Sequence, residues 1–252
     1  MKITVARTES LFDSQAASRI VSQICAKPTS VIGLSTGRTT GNIHRLVCKI
    51  HSEVNFNVAD VTFFGLDEVT NVDRNYSGAC YAMLRSEIID GLGVDDSHFL
   101  MLPTVSDDFE KDCRDFCHEL SRRGGIDLLI LGLGENGHLG FNQPGSPLNG
   151  TAWVASMDSR LEERIRRETQ TPNHIELGGV TLGIRDIMHA RRIILVAKGE
   201  NKREIVKRML TGEISSDCPA SVLQLHPDCE FLLDAAAAAD INIDQLRDSY
   251  GK

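Results

Sequence analysis

Apolar residues fall along this chain in short unbroken runs, separated by longer stretches where they recur every three or four positions. The runs are Ser30–Leu34 (SVIGL), Val61–Leu66 (VTFFGL), Ile126–Leu131 (IDLLIL), Arg192–Ala197 (RIILVA) and Glu230–Leu233 (EFLL). Runs of that length, bounded by polar segments, predict strands buried on both faces. In the intervening stretches the clearest pattern is Ile43, Leu46, Val47 and Ile50, one face of a helix. The alternation predicts an α/β fold: a doubly wound (Rossmann-like), mostly parallel sheet with helices on both faces, in a single domain over residues 1–252. In such a sheet ligands bind beyond the carboxyl ends of the strands. The alanine run Ala235–Ala239 predicts the start of a last helix. The Gly- and Pro-containing stretch Gly132–Gly150 is long for a connection, which points to function.

Composition narrows the picture modestly. The chain has 252 residues, enough for one continuous core, and a formal net charge of -8. A negative field disfavours nucleic acid and acidic membranes, so neither is expected as a partner. It also means that any anion site is built locally, from backbone amides and a few placed cations. The segment MKITVARTESLFDSQAA has no apolar core or cleavage signature, and no run is long enough to span a bilayer, so the expected location is cytoplasmic. Seven scattered cysteines without a CxxC argue for reduced thiols. Cys113, Cys117 and His118 raise the question of a metal. Phe109, Cys113, Phe116, Cys117 and Leu120 trace one helical stripe, however, and core packing is the preferred reading.

Three segments carry chemistry. Ser35-Thr36-Gly37-Arg38-Thr39-Thr40-Gly41 follows a strand and opens a helix, where free N–H groups and the positive helix end attract an anion. The three hydroxyls of Ser35, Thr36 and Thr39 add donors, and Arg38 adds charge; the alternative is an ordinary strand-to-helix turn. Asp67 and Glu68 end a buried strand, where partial desolvation raises a carboxylate's pKa toward that of a useful base, unless they merely cap the next element. The stretch Leu131–Pro144 (LGLGENGHLGFNQP) also follows a strand. Its glycines admit close approach to a ligand, and His138 exchanges a proton near neutral pH. Asn136, Asn142 and Gln143 are available to orient the imidazole or bind hydroxyls. The segment continues into Phe-Asn-Gln-Pro rather than an apolar helix, which disfavours a dinucleotide site.

Together these segments resemble the glucosamine-6-phosphate deaminase/isomerase family over nearly the whole chain. The resemblance rests on LDE at Leu66–Glu68, GENGHLGFNQP at Gly134–Pro144, TLGI at Thr181–Ile184 and PASVLQLHP at Pro219–Pro227. Galactosamine-6-phosphate isomerase-type members fit as well. The resemblance implies that Ser35, Thr36, Gly37, Arg38 and Thr39 hold the phosphate with Lys202, helped by an arginine after Asp158 that Arg160, Arg164, Arg166 or Arg167 could supply. It implies that Glu68 belongs to the substrate-binding set, that His138 opens the pyranose ring with help from Asn136, and that Asp67 takes the C2 proton and returns it at C1. The product would be a ketose phosphate plus ammonia. Neither metal nor organic cofactor is called for, and the protein is expected to be a monomer or homo-oligomer.

The chain departs from the family's pattern at named places. The family usually has Glu, which polarises the catalytic histidine, where this chain has Gln143; either Glu135 supplies the missing charge, or the reaction runs slowly or on a different substrate, and the second is the preferred reading. Arg38 replaces a small residue, and Asp73-Arg74-Asn75-Tyr76 is reminiscent of the related 6-phosphogluconolactonases. A lactonase using His138 as base for water is therefore the second reading, although that family usually continues Thr-Ala-Ser after its Gly-His. A sugar-phosphate sensor is third, because no spare basic helical segment is available for DNA.

Overall fold

The computed structural model describes residues 1–242. Ten strands are present among them: β1 (Lys2–Ala6), β2 (Val31–Leu34), β3 (Thr62–Gly65), β4 (Asp67–Val69), β5 (Phe99–Leu100), β6 (Leu128–Gly132), β7 (Trp153–Ala155), β8 (Gly179–Thr181), β9 (Ile193–Ala197) and β10 (Cys229–Asp234). Seven form a sheet in the order β1-β10-β9-β6-β2-β3-β5, with every pairing parallel. The other three make a small antiparallel sheet, β4-β8-β7. The five apolar runs all lie in the large sheet.

Successive side chains of the central strands enter opposite cores, as the strand period of two requires. Leu129, Leu131, Leu195 and Phe231 pack on one face; Leu128, Ile130, Ile194 and Leu232 pack on the other. Helices Glu9–Ala26 and Arg38–Val54 cover the second face through Phe12, Ile20, Ile43 and Val47. Helices Phe109–Arg122 and Arg203–Thr211 cover the first through Phe116, Leu120, Val206 and Met209. Cys113 is buried in that core and Cys117 packs against it, while His118 is exposed, so the three do not converge.

Two expectations change. Residues Ala235–Asp240 form successive turns rather than a helix, opened by the Asp234 carboxylate accepting the Ala237 N–H at 2.8 Å; residues 243–252 lie outside the described part. The run ending at Leu66 does not simply stop. After Leu66, whose N–H still bonds to Leu34 of β2, the chain leaves the large sheet and β4 pairs antiparallel with β8. Strands of three residues carry too few positions for a period-two pattern to stand out.

From β2 the chain winds outward through β3 and β5, then returns to the far side of β2 as β6 and winds outward again through β9 and β10. The crevice beyond the carboxyl ends of β2 and β6 is the switch point of the sheet. No helix among the described residues is long and apolar enough to cross a membrane.

Candidate active site

A cleft of about 1000 Å³ opens over that switch point. Its walls come from strand ends: Ser35–Thr40 after β2, Asp67 after β3, Gly132–Asn136 after β6, Lys198 and Gly199 after β9, and Asp234 at the end of β10. His138, Asp158, Arg160 and Lys202 complete it.

The β2 loop forms the end of the cleft suited to an anion. Helix Arg38–Val54 starts at Gly37, and its first backbone bond runs from Gly41 N–H to Gly37 at 3.0 Å. The first-turn amides before Gly41 have no carbonyl to meet within the helix and point outward with the positive end of the dipole. Ser35 is spent differently from expectation. Its hydroxyl donates to Ile130 O at 2.9 Å and accepts from Gly132 N–H at 2.9 Å, which ties β2 to β6 at the crevice. Lys202 and Arg160 both line the cleft, so of the four arginine candidates Arg160 is the one brought there. Burial pulls the Lys202 pKa down and Glu135 pulls it back up.

Asp67 faces the middle of the cleft. It is half-buried, and burial pushes its carboxyl up to about 6, opposed by a hydrogen bond from the Cys80 thiol. Glu68 turns the other way and is absent from the cleft wall. It is fully buried, accepting three backbone N–H bonds from Val69, Cys80 and Tyr81 at 2.7–2.8 Å. Burial still drives it up to about 7. Its position is that of a staple joining β4 to the helix that begins at Cys80, not of a substrate ligand.

His138 is placed by its glycine neighbours. A Cβ on Gly134 would lie 2.3 Å from the imidazole, so the ring rests directly on the backbone. Gly140 has φ +57, and a Cβ there would come within 2.7 Å of Thr181 Oγ1 and 3.3 Å of Asp67 Oδ2. The His138 Nδ1 lies 2.7 Å from Asn136 Oδ1, and Asn136 Nδ2 donates to Gln143 Oε1 at 2.9 Å. Because the Asn136 amide nitrogen is committed to Gln143, its oxygen is the end that meets the imidazole. Nδ1 therefore carries the hydrogen, and Nε2 is the free base. Burial lowers the His138 pKa, Lys202 lowers it further, and Asp158, Gln143 and Glu135 oppose them.

Two neighbours of His138 have other employment. Asn142 is buried, donating to Leu139 O and Leu182 O and accepting from the Trp153 indole, so it holds the loop together rather than orienting the imidazole. Glu135 accepts from Asn201 at 2.6 Å and does not contact the ring. Glu9, Asp158, Lys198, Asn201 and Asp234 were not anticipated in the wall. Glu9, Lys198 and Asp234 stand close behind the carboxyl ends of β1, β9 and β10, so reading every strand end, not only glycine-rich ones, would have found them. Among the described residues, no group of three or more His, Cys, Asp or Glu side chains is placed to hold a metal ion.

Comparison with known proteins gives the family and the fold. The model of the glucosamine-6-phosphate isomerases/6-phosphogluconolactonase family matches residues 7–230. The chain belongs to that family. It is 30% identical to a glucosamine-6-phosphate deaminase of Clostridium botulinum over 96% of this chain and 100% of that one. It is 32% identical to a glucosamine-6-phosphate deaminase of Clostridium acetobutylicum, covering 94% and 99%. The solved structure of a monomeric glucosamine-6-phosphate deaminase superposes with a TM-score of 0.88 at 29% identity, over 95% of this chain and 99% of that one. The 6-phosphogluconolactonase of Trypanosoma brucei shares the fold, with a TM-score of 0.74 at 21% identity over 96% and 98%.

Proposed function

We propose that this protein isomerises and deaminates a phosphorylated 2-amino sugar, glucosamine-6-phosphate or its galactose epimer, to a ketose 6-phosphate and ammonia. The observation that carries the reading is the placement of two proton-transfer groups of different strength, Asp67 and His138, on one cleft with a cationic anion site at its end. The phosphate occupies the first-turn amides of helix Arg38–Val54, with Thr39, Lys202 and Arg160 around it. His138 Nε2 takes the proton of the anomeric hydroxyl and returns it to the ring oxygen, and the pyranose opens. Asp67 then removes the C2 proton while a proton from the substrate's own ammonium passes to O1, which gives an enolamine, and the Asp67 carboxylic acid delivers its proton to C1. The resulting C2 iminium adds water and expels ammonia.

A carboxylate with a pKa of about 6 suits this step, being ionised at neutral pH yet basic enough to take the proton. Every step is a proton transfer or carbonyl addition, so the cleft's own groups suffice. The 6-phosphogluconolactonase reading keeps the phosphate site and His138 but gives Asp67 no proton to move. Changing Asp67→Asn distinguishes the two: turnover is lost by several decades while the sugar phosphate still binds. An enzyme retaining most of its kcat would remove Asp67 from the chemistry.

A further inference from the structure

Among the described residues, one side-chain donor is bonded to the Asp67 carboxylate: the Cys80 thiol, with Sγ 3.6 Å from Oδ1. The other oxygen, Oδ2, lies beside the space left by the missing side chain of Gly140. Cys80 is itself firmly placed. Its N–H donates to Glu68 Oε1 at 2.8 Å and the next N–H, of Tyr81, to Oε2 at 2.7 Å. The buried thiol lies between two carboxylates, Asp67 and Glu68, and burial first and their charges second raise its pKa well above the ordinary value. It therefore remains a thiol, with one proton to give. That proton goes to Asp67, so the Thr36 hydroxyl, 3.3 Å from the sulfur, donates to it. Two hydrogen bonds thus run from the phosphate loop to the base.

We propose that Cys80 is a positioning residue for Asp67, its thiol fixing Oδ1 so that Oδ2 is presented to the substrate's C2 proton. The proposal rests on Asp67 being the base. A donor on a carboxylate favours the ionised form, so the thiol also keeps Asp67 able to accept at lower pH. The staple made by Glu68 acquires a purpose here: it sets the distance at which the thiol meets Asp67.

The test is a titration of Asp67 by carbon-13 NMR of its carboxyl carbon in the parent chain, Cys80→Ala and Cys80→Ser, alongside the pH profile of kcat/KM. In Cys80→Ala the Asp67 midpoint should rise by about half a unit to one unit. The acidic limb of the profile should rise with it. Cys80→Ser, which keeps a donor, should restore both toward the parent. Cys80→Val, which fills the space without donating, gives the same reading as the alanine chain should that chain fail to fold. An unmoved midpoint in folded alanine or valine chains overturns the proposal, since a space-filling role would lower only the Tm. A midpoint that moves while the limb stays fixed overturns instead the assignment of Asp67 as base, because the titration needs no substrate.

Discussion

In the proposed reaction, Gln143 is the side chain through which the strength of the His138 base is most readily adjusted. It touches Asn136, which touches His138, so the imidazole is backed by two neutral amides rather than a carboxylate. Imidazolium formed during ring opening is stabilised less, by ~1.5–3 kcal/mol if a charge-assisted bond is what is absent. In Gln143→Glu the carboxylate accepts from the same Asn136 amide, and ammonia release should rise about ten-fold or more. The His138 pKa should rise as well, the added charge opposing the burial and the Lys202 charge that lower it, so the contribution of the imidazole to the acidic limb moves to higher pH. A pH–rate profile of the variant checks both, and loss of activity would mark Gln143 as fitted to another reaction. That Gln143 lies in the same loop group as Asn136 and His138 was legible from the sequence, because the loop motif carries all three. Its hydrogen bond to Asn136 was not, since residues two and seven apart in a loop have no fixed geometry. For the same reason Asn142 and Glu135, adjacent to residues of the relay, turn out to bond elsewhere.

The elements that build the site were legible where pattern length allowed. Five strands announce themselves as apolar runs, and the helix whose N-terminus opens on the cleft announces itself through Ile43, Leu46, Val47 and Ile50. The small sheet β4-β8-β7 did not, yet it is what turns Asp67 into the cleft and Glu68 away from it. Alternation along β4 puts adjacent carboxylates on opposite sides, which the dipeptide alone does not reveal. The glycine loop after β6 is the element whose backbone sets the histidine. Gly134 is not among the residues with positive φ, so no left-handed strain opposes a side chain there; the nearest obstacle is the His138 ring, 2.3 Å from a Cβ. Gly134→Ala should therefore fold normally and displace the imidazole, lowering kcat about a hundred-fold. Circular dichroism with steady-state kinetics separates the two effects. An undiminished kcat would show that the ring has room to move or does not carry the proton.

At the scale of the whole molecule, the site is held at the expense of stability. Asp67 has an ordinary pKa of 3.8 and a folded value of about 6. Between these values the folded chain keeps a proton that the unfolded chain has released, so stability falls as pH rises through that window and stays lower above it. Asp67→Asn removes the penalty. It should raise the Tm by a few degrees near neutral pH, for about 2 kcal/mol, with the gain vanishing below about pH 4. Calorimetry of both chains at the two pH values checks this; an equal Tm throughout would mean that the carboxylate is better solvated than its burial implies. The parallel sheet supports that load because its switch point gathers groups from six strand ends into one cleft while two continuous cores hold the strands in place. The claim that this cleft deaminates an amino-sugar phosphate is tested most directly by supplying pure protein separately with glucosamine-6-phosphate, galactosamine-6-phosphate and 6-phosphogluconolactone, and assaying ammonia, ketose phosphate and acid. The expected result is ammonia and ketose 6-phosphate in equal amounts from one of the two amino sugars, and no catalysed acid release from the lactone. Catalysed opening of the lactone with no ammonia from either amino sugar would contradict it.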